Sequence, residues 1–186
     1  MTYPTGELPN ELDILRDVSE RLERAGIAFM LTGSLAMNYY AEPRMTRDID
    51  MVIEIRPDDT ERVAALFEPE YYVSRDAVVE AVAHRTSFNL IHRDSVIKVD
   101  CFPRKPGAFR QIEFDRRQQA RIGELVTYLV TREDLILSKL LWASESLSEV
   151  QLRDVRNLMA SPFDQTYVSE WVDRLGLTTL WKQVRP

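Results

Sequence analysis

The run Asp48-Ile49-Asp50-Met51-Val52-Ile53-Glu54-Ile55 constrains this chain most. It is rich in β-branched side chains and alternates at its start, which predicts a strand, broken by Pro57 and Asp58. Alternate strand residues point to one face, so Asp48 and Asp50 project together, roughly 6–7 Å apart. Two carboxylates held side by side repel, and each raises the other's pKa unless a positive charge lies between them. A divalent cation answers that need, and hard oxygen ligands select magnesium or manganese. A solvated strand edge produces the same spelling, so the pair alone decides nothing.

Three neighbouring features bear on the pair. Gly33-Ser34 follows the short apolar run Ile27 to Leu31 and opens a helix through Tyr40 that Pro43 ends. A glycine there lets an anion approach the backbone, and the helix N-terminus offers free N–H groups; Ser34 as a plain helix cap is the competing reading. Asp100 shares a strand face with Val96 and Lys98, so it either converges on Asp48 and Asp50 or pairs with Lys98 or an arginine. The polar loop Arg44-Met45-Thr46-Arg47 delivers Arg44 and Arg47 beside the acidic pair, to neutralise a triphosphate or merely to balance Asp48 and Asp50.

The remaining pattern is mixed up to residue 130. Asn10 caps a helix with Leu12, Leu15, Val18 and Leu22 at helical spacing, stopped by Gly26. A helix from Asp59 or Thr60 to Phe67, a short strand at 71–73 and a helix at 77–83 follow. Residues 87–92 and 95–102 form a hairpin across Arg93-Asp94. The stretch 109–123 fits no single assignment, and 125–130 suits a strand. Beyond it the pattern turns helical: a capping box at Thr131-Arg132-Glu133-Asp134, a second helix from Ser148 and a third from Asp164 to Gly176. The expected division is an α/β core over 1–130 and a helical extension over 131–186 that packs on it. Trp142, Trp171 and Trp181 are expected to pack that extension down, and His84 and His92 to be surface or satisfied core residues.

Composition narrows the function class. A net charge of -6 argues against coating nucleic acid through bulk charge. One basic stretch, Arg104, Lys105, Arg110, Arg116, Arg117 and Arg121, reads first as a solvated face. The N-terminus lacks a basic region followed by an apolar stretch, and no apolar run approaches the roughly 20 residues of a membrane span. Cys101 is the only cysteine, which excludes an internal disulfide and suits a reducing, cytoplasmic setting.

A Gly-Ser turn, a spacer helix, an acidic-x-acidic strand and a later acidic strand together resemble the polymerase β nucleotidyltransferase superfamily. The matching residues are Leu31-Thr32-Gly33-Ser34, Arg47-Asp48-Ile49-Asp50-Met51-Val52 and Ile97-Lys98-Val99-Asp100-Cys101-Phe102. A finer similarity links 131–140 and Leu152-Arg153-Asp154-Val155-Arg156-Asn157-Leu158 to the abortive-infection and tRNA-modifying toxin branch, where Lys139 and Asp154 match a completing lysine and aspartate. The resemblance implies an α/β (α+β) fold, a small mixed sheet flanked by helices with a helical tail. It implies nucleotidyl transfer from a nucleoside triphosphate (NTP). Asp48, Asp50 and Asp100 would bind two magnesium or manganese ions, and Gly33, Ser34, Arg44, Arg47 and Asp154 would contact the nucleotide. Lys139 would neutralise the triphosphate, unless it lies on a solvated helix face paired with Glu145 or Asp134. The implied acceptor is an RNA end, a protein or a small molecule, and the toxin branch adds a possible cognate antitoxin. A nucleotide- or protein-binding relative without turnover is the alternative.

Overall fold

The computed structural model describes residues 8–185; the stretch read above for a secretory signal lies almost wholly outside them. Asn10 accepts the N–H groups of Leu12 and Asp13, and the Asp13 carboxylate takes the Asn10 N–H in return, which starts α1 (Glu11–Arg24). Ile14, Leu15, Val18 and Leu22 form its buried stripe. Strand β1 (Phe29–Thr32) runs straight into α2 (Gly33–Tyr40), and β2 (Ile49–Ile53) follows a polar loop. A 3₁₀ turn at Pro57–Asp59 leads to α3 (Thr60–Phe67), β3 (Tyr71–Tyr72) and α4 (Arg75–His84). Strands β4 (Phe88–His92) and β5 (Lys98–Pro103) make the expected hairpin.

The unassigned stretch resolves into helix α5 (Ala108–Asp115) and strand β6 (Gln118–Ile122), which pairs with β7 (Leu125–Leu129). Helices α6 (Arg132–Ser146), α7 (Glu149–Met159) and α8 (Gln165–Arg174) stand where the sequence placed them, and α9 (Thr178–Val184) is an addition. Among the described residues the strands form one mixed sheet in the order β3-β4-β5-β2-β1-β7-β6. Strand β2 lies antiparallel to β1 and parallel to β5, so it sits near the middle with both edges paired. One apolar core draws on the sheet, on α1 to α4 and on the C-terminal helices alike.

Helix α6 is buried over most of its length, through Leu135, Ile136, Leu137, Leu140 and Ala143, and exposed in its last turn. Its first turn is anchored at Asp134, a fully buried carboxylate that accepts from Arg116 Nε (2.9 Å), Tyr167 Oη (2.6 Å) and Thr131 Oγ1 (2.5 Å). Trp171 and Trp181 pack as expected, Trp171 against Phe109 with ring centroids 5.3 Å apart. Trp142 does not, being 52% exposed.

The arginine-rich stretch is only in part the solvated face expected of it, with Lys105, Arg116 and Arg121 exposed. Arg104 pairs with Glu54, Arg110 with Glu113 and Arg116 with Asp134. Arg117 lies over the Phe114 ring at 4.4 Å. Arg110, Arg116 and Arg117 each lie over an aromatic ring while meeting an acceptor, so they tie α5 to its surroundings. Among the described residues no helix is long and apolar enough to cross a membrane.

Candidate active site

Sheet register brings the carboxylates together. Asp50 on β2 pairs with Asp100 on the parallel strand β5, and with Thr32 on the antiparallel strand β1. Gly33 therefore turns the chain directly over Asp50. Its φ of +66° is a left-handed conformation, and a Cβ at Gly33 would lie 2.0 Å from Asp50 Oδ2 and 2.8 Å from Asp50 Cβ. The glycine is required by the carboxylate beneath it as much as by any approaching anion.

The Ser34 backbone N–H donates to the Asp50 carboxylate, so the α2 N-terminus already faces a negative charge. Ser34 is not the helix cap; Thr32 occupies that position, and the Ser34 hydroxyl accepts from Arg44 Nη2 at 2.5 Å. Asp50's carboxyl is pushed up to about 6, first by burial and then by the charges of Asp100 and Asp48. The Ser34 N–H and Lys139 pull against that rise without cancelling it.

Asp48 stands just before β2, with its side chain 63% exposed. Between it and Asp100 lies Lys98, whose Nζ is 2.8 Å from Asp100 Oδ2 and 3.8 Å from Asp48 Oδ1. Asp100 pairs with Lys98, and strand register sets it beside Asp50, while Asp48 stands off with its side chain largely exposed. As the side chains stand, no three His, Cys, Asp or Glu among the described residues form a metal-holding group. The chemistry of the donor set nonetheless fits a hard cation: oxygen ligands only, two of them paired across neighbouring strands, and a repulsion that raises Asp50. Lys98 occupies the gap with a cation of the protein's own.

A second cluster joins this one from the helical side. Lys139 on α6 is 3% exposed, and its Nζ donates to Asp154 Oδ2 at 2.7 Å and to Gln151 Oε1 at 3.1 Å. It is therefore no solvated-face lysine, and its partner is neither Glu145 nor Asp134. Burial holds the Lys139 ammonium below its ordinary value, while Asp154 and Asp50 support its charge. Arg44 reaches the same Asp154 oxygen at 3.3 Å. Arg44 thus turns to Ser34 and Asp154 rather than to the acidic pair, fixed there by the Asn38 amide, which bonds its backbone N–H and C=O at 3.0 and 2.9 Å. Asp154 Oδ1 and Arg44 Nε are buried without a hydrogen-bond partner among the described residues. Arg47 is exposed, and no ion pair joins it to these described groups.

A cavity of about 280 Å³ opens from this junction. Its lining includes Gly33, Asp50 and Lys139, the apolar Val52, Phe102, Leu141 and Trp142, and the polar Glu113, Ser138 and Arg110, with Lys105 and Glu145 exposed beside them. Glu113 is buried and accepts from Arg110 Nη1 (2.8 Å) and from Ser138 Oγ; burial pushes its carboxyl up. Sequence reading missed Asn38, Glu113, Ser138 and Gln151, and it assigned Trp142 to packing. For Trp142 a signal existed: it follows Lys139 by three positions and so shares its helix face.

No family model matches the sequence, and no curated protein matches it. Solved structures do resemble the fold. The lincosamide antibiotic adenylyltransferase LnuA, lincomycin-bound, is 17% identical with a TM-score of 0.54, over 80% of this chain and 94% of that one. ANT(2'')-Ia in complex with adenylyl-2''-tobramycin is 14% identical with a TM-score of 0.56, over 92% and 97%. An antigenic nucleotidyltransferase-like protein from Paracoccidioides brasiliensis is 16% identical with a TM-score of 0.56, over 92% of each chain. The fold of this chain is the nucleotidyltransferase fold of these neighbours.

Proposed function

We propose that this chain transfers a nucleoside monophosphate from an NTP to a hydroxyl of an acceptor, releasing pyrophosphate. The observation that carries the reading is the junction itself. Asp50 and Asp100 pair across β2 and β5, beneath the Gly33-Ser34 turn, and the buried Lys139 acts on Asp50 from the opposite layer. Paired carboxylates facing a buried cation and a glycine turn suit a polyphosphate held through a divalent ion.

In this reading Asp48, Asp50 and Asp100 hold magnesium or manganese, two ions when the NTP is bound. The ions supply charge neutralisation on the phosphates and a more acidic acceptor hydroxyl. Lys139 places a point charge on the triphosphate, kept in position by Asp154 and Gln151. Arg44 steers the Ser34 hydroxyl: because it donates to that oxygen, the Ser34 proton is left to point at a phosphate oxygen. The buried, unpaired Arg44 Nε is a further donor for an anion. The acceptor oxygen forms its bond to the α-phosphorus as the bond to the bridging oxygen of the β-phosphate breaks; pyrophosphate departs and the hydroxyl proton is lost to solvent.

A small-molecule hydroxyl is the acceptor class we favour. LnuA and ANT(2'')-Ia carry lincomycin and an adenylylated tobramycin, and they share most of their length with this chain. The net charge of -6 points the same way, away from RNA. The test is incubation with each labelled NTP, magnesium and a cell extract, beside an Asp50→Asn/Asp100→Asn control. Label entering the small-molecule fraction, and lost in the control, is the expected result; label in no fraction sinks the transferase reading.

A further inference from the structure

We propose that the cavity beside Asp50 takes the base and sugar of the donor nucleotide, with Trp142 as the surface on which the base stacks. The inference rests on the transferase reading above and adds to it where the donor lies.

Position argues first. The cavity shares Gly33, Asp50 and Lys139 with the phosphate end of the site, whereas Asp48, Asp100 and Lys98 lie off it. Val52 follows Asp50 by two on β2, and Phe102 follows Asp100 by two on β5, so strand alternation continues the same face away from the carboxylates. In-line displacement puts the acceptor opposite the leaving pyrophosphate. Asp100 is off the cavity, so the transferase reading sets the acceptor beside Asp100 and leaves the cavity to the donor.

Size and chemistry agree. At about 280 Å³ the cavity falls just below the usual span of ligand pockets, roughly 300 to 1,000 Å³, so it suits one nucleoside better than a larger acceptor. Its lining is mostly apolar and also carries a fixed set of hydrogen-bonding groups in Glu113, Ser138 and Arg110. An apolar slot with hydrogen-bonding groups in its wall matches a heterocycle with a flat face and a hydrogen-bonding edge.

Trp142 is the exception among the tryptophans. Trp171 and Trp181 are 6% and 4% exposed, and Trp142 is 52% exposed at a cavity wall. An indole left this open, on the face that also carries the buried Lys139, is a large apolar surface with room for a flat ligand on one side. Helix α6 fixes it one turn beyond Lys139, so a base on Trp142 and phosphates at Lys139 are spanned by one rigid element.

The test is equilibrium binding of each of the four NTPs, and of inorganic tripolyphosphate, with magnesium, to the full chain and to Trp142→Ala and Trp142→Phe. We expect at least one NTP to bind the unaltered chain more tightly than tripolyphosphate does. In Trp142→Ala that NTP weakens about 5- to 150-fold, the range for loss of a base–aromatic stack. Tripolyphosphate affinity stays unchanged, and Trp142→Phe recovers most of the loss. Equal weakening of NTP and tripolyphosphate, or unchanged NTP affinity in Trp142→Ala, overturns the base site while leaving the donor reading intact. If neither NTP nor tripolyphosphate binds the unaltered chain, the donor reading itself falls, and this inference with it.

Discussion

Replacing Gly33 with alanine tests the turn on which the site depends. Two costs arise. A left-handed φ of +66° in a residue with a side chain costs about 1–2 kcal/mol. The new Cβ also meets Asp50 Oδ2 at 2.0 Å, Cγ at 2.6 Å and Cβ at 2.8 Å. Turning the Asp50 side chain clears the oxygen but not its Cβ, which is fixed to β2, so the turn and the strand must part. Overpacking of this kind costs about 1–3 kcal/mol. The sum, about 2–5 kcal/mol, lowers the melting temperature by roughly 4–20 °C in a chain of this size. Urea titration and thermal melts followed by circular dichroism measure it. The decisive comparison is a double-mutant cycle with Asp50→Gly, which removes the clash and keeps the backbone term. In that background Gly33→Ala is expected to cost only about 1–2 kcal/mol. Equal costs in the two backgrounds would refute the close approach of the turn to Asp50.

Three further outcomes follow from the same geometry. With Asp50 at about 6 in the fold against an ordinary 3.8, the folded chain holds a proton between about pH 4 and 6 that the unfolded chain has released. Metal-free protein then loses about 2–3 kcal/mol as pH rises through that window, the loss being complete above about 6. Asp50→Asn should abolish the loss in chelator-containing urea titrations and be the more stable form at pH 7; an unchanged pH profile contradicts the shift. Lys98→Gln removes the ammonium between Asp48 and Asp100, so calorimetric manganese affinity should rise about 2- to 5-fold, the worth of a half-exposed ion pair; unchanged or weaker binding counts against it. Asp154→Ala leaves Lys139 and Arg44 facing each other without their shared carboxylate, and about 3–5 kcal/mol of stability should go. A loss below 1 kcal/mol in thermal melts would mean that the pair is not buried as described.

Local rules reached the elements whose cause is local. Asn10 and Asp164 cap their helices through their own side chains, and the alternation of Phe88 to His92 shows in the sequence as it does in burial. Gly33-Ser34 was readable as a turn before a helix, yet the reason for the glycine, Asp50 beneath it, required the register of β1 on β2. Helix α5 and strand β6 escaped because each is short, and because β6 is an edge strand with most of its residues exposed. The basic run misled for a related reason. Arg104, Arg116 and Arg117 look like a solvated face in one dimension, and their partners Glu54, Asp134 and Phe114 include two that lie 18 and 50 residues away. Family resemblance named Lys139 and Asp154 as separate site residues; their ion pair appeared only in the fold, since no spacing rule links two helices. Asn38 and Gln151 carried no signal, since their roles exist only once α2 meets its loop and α6 meets α7.

Helix α6 gives the molecule a division of labour that bears on how it can diversify. One continuous rod carries the anchored Asp134 at its start, Lys139 at its centre and Trp142 a turn further on. Its footing is settled by Arg116 and Tyr167 through Asp134. Lys105, Arg110 and Glu113 line the same cavity from a separate segment, α5 and the loop before it. Under the proposed reading, substitutions confined to that segment would change ligand preference while Lys139 keeps its place on the rod.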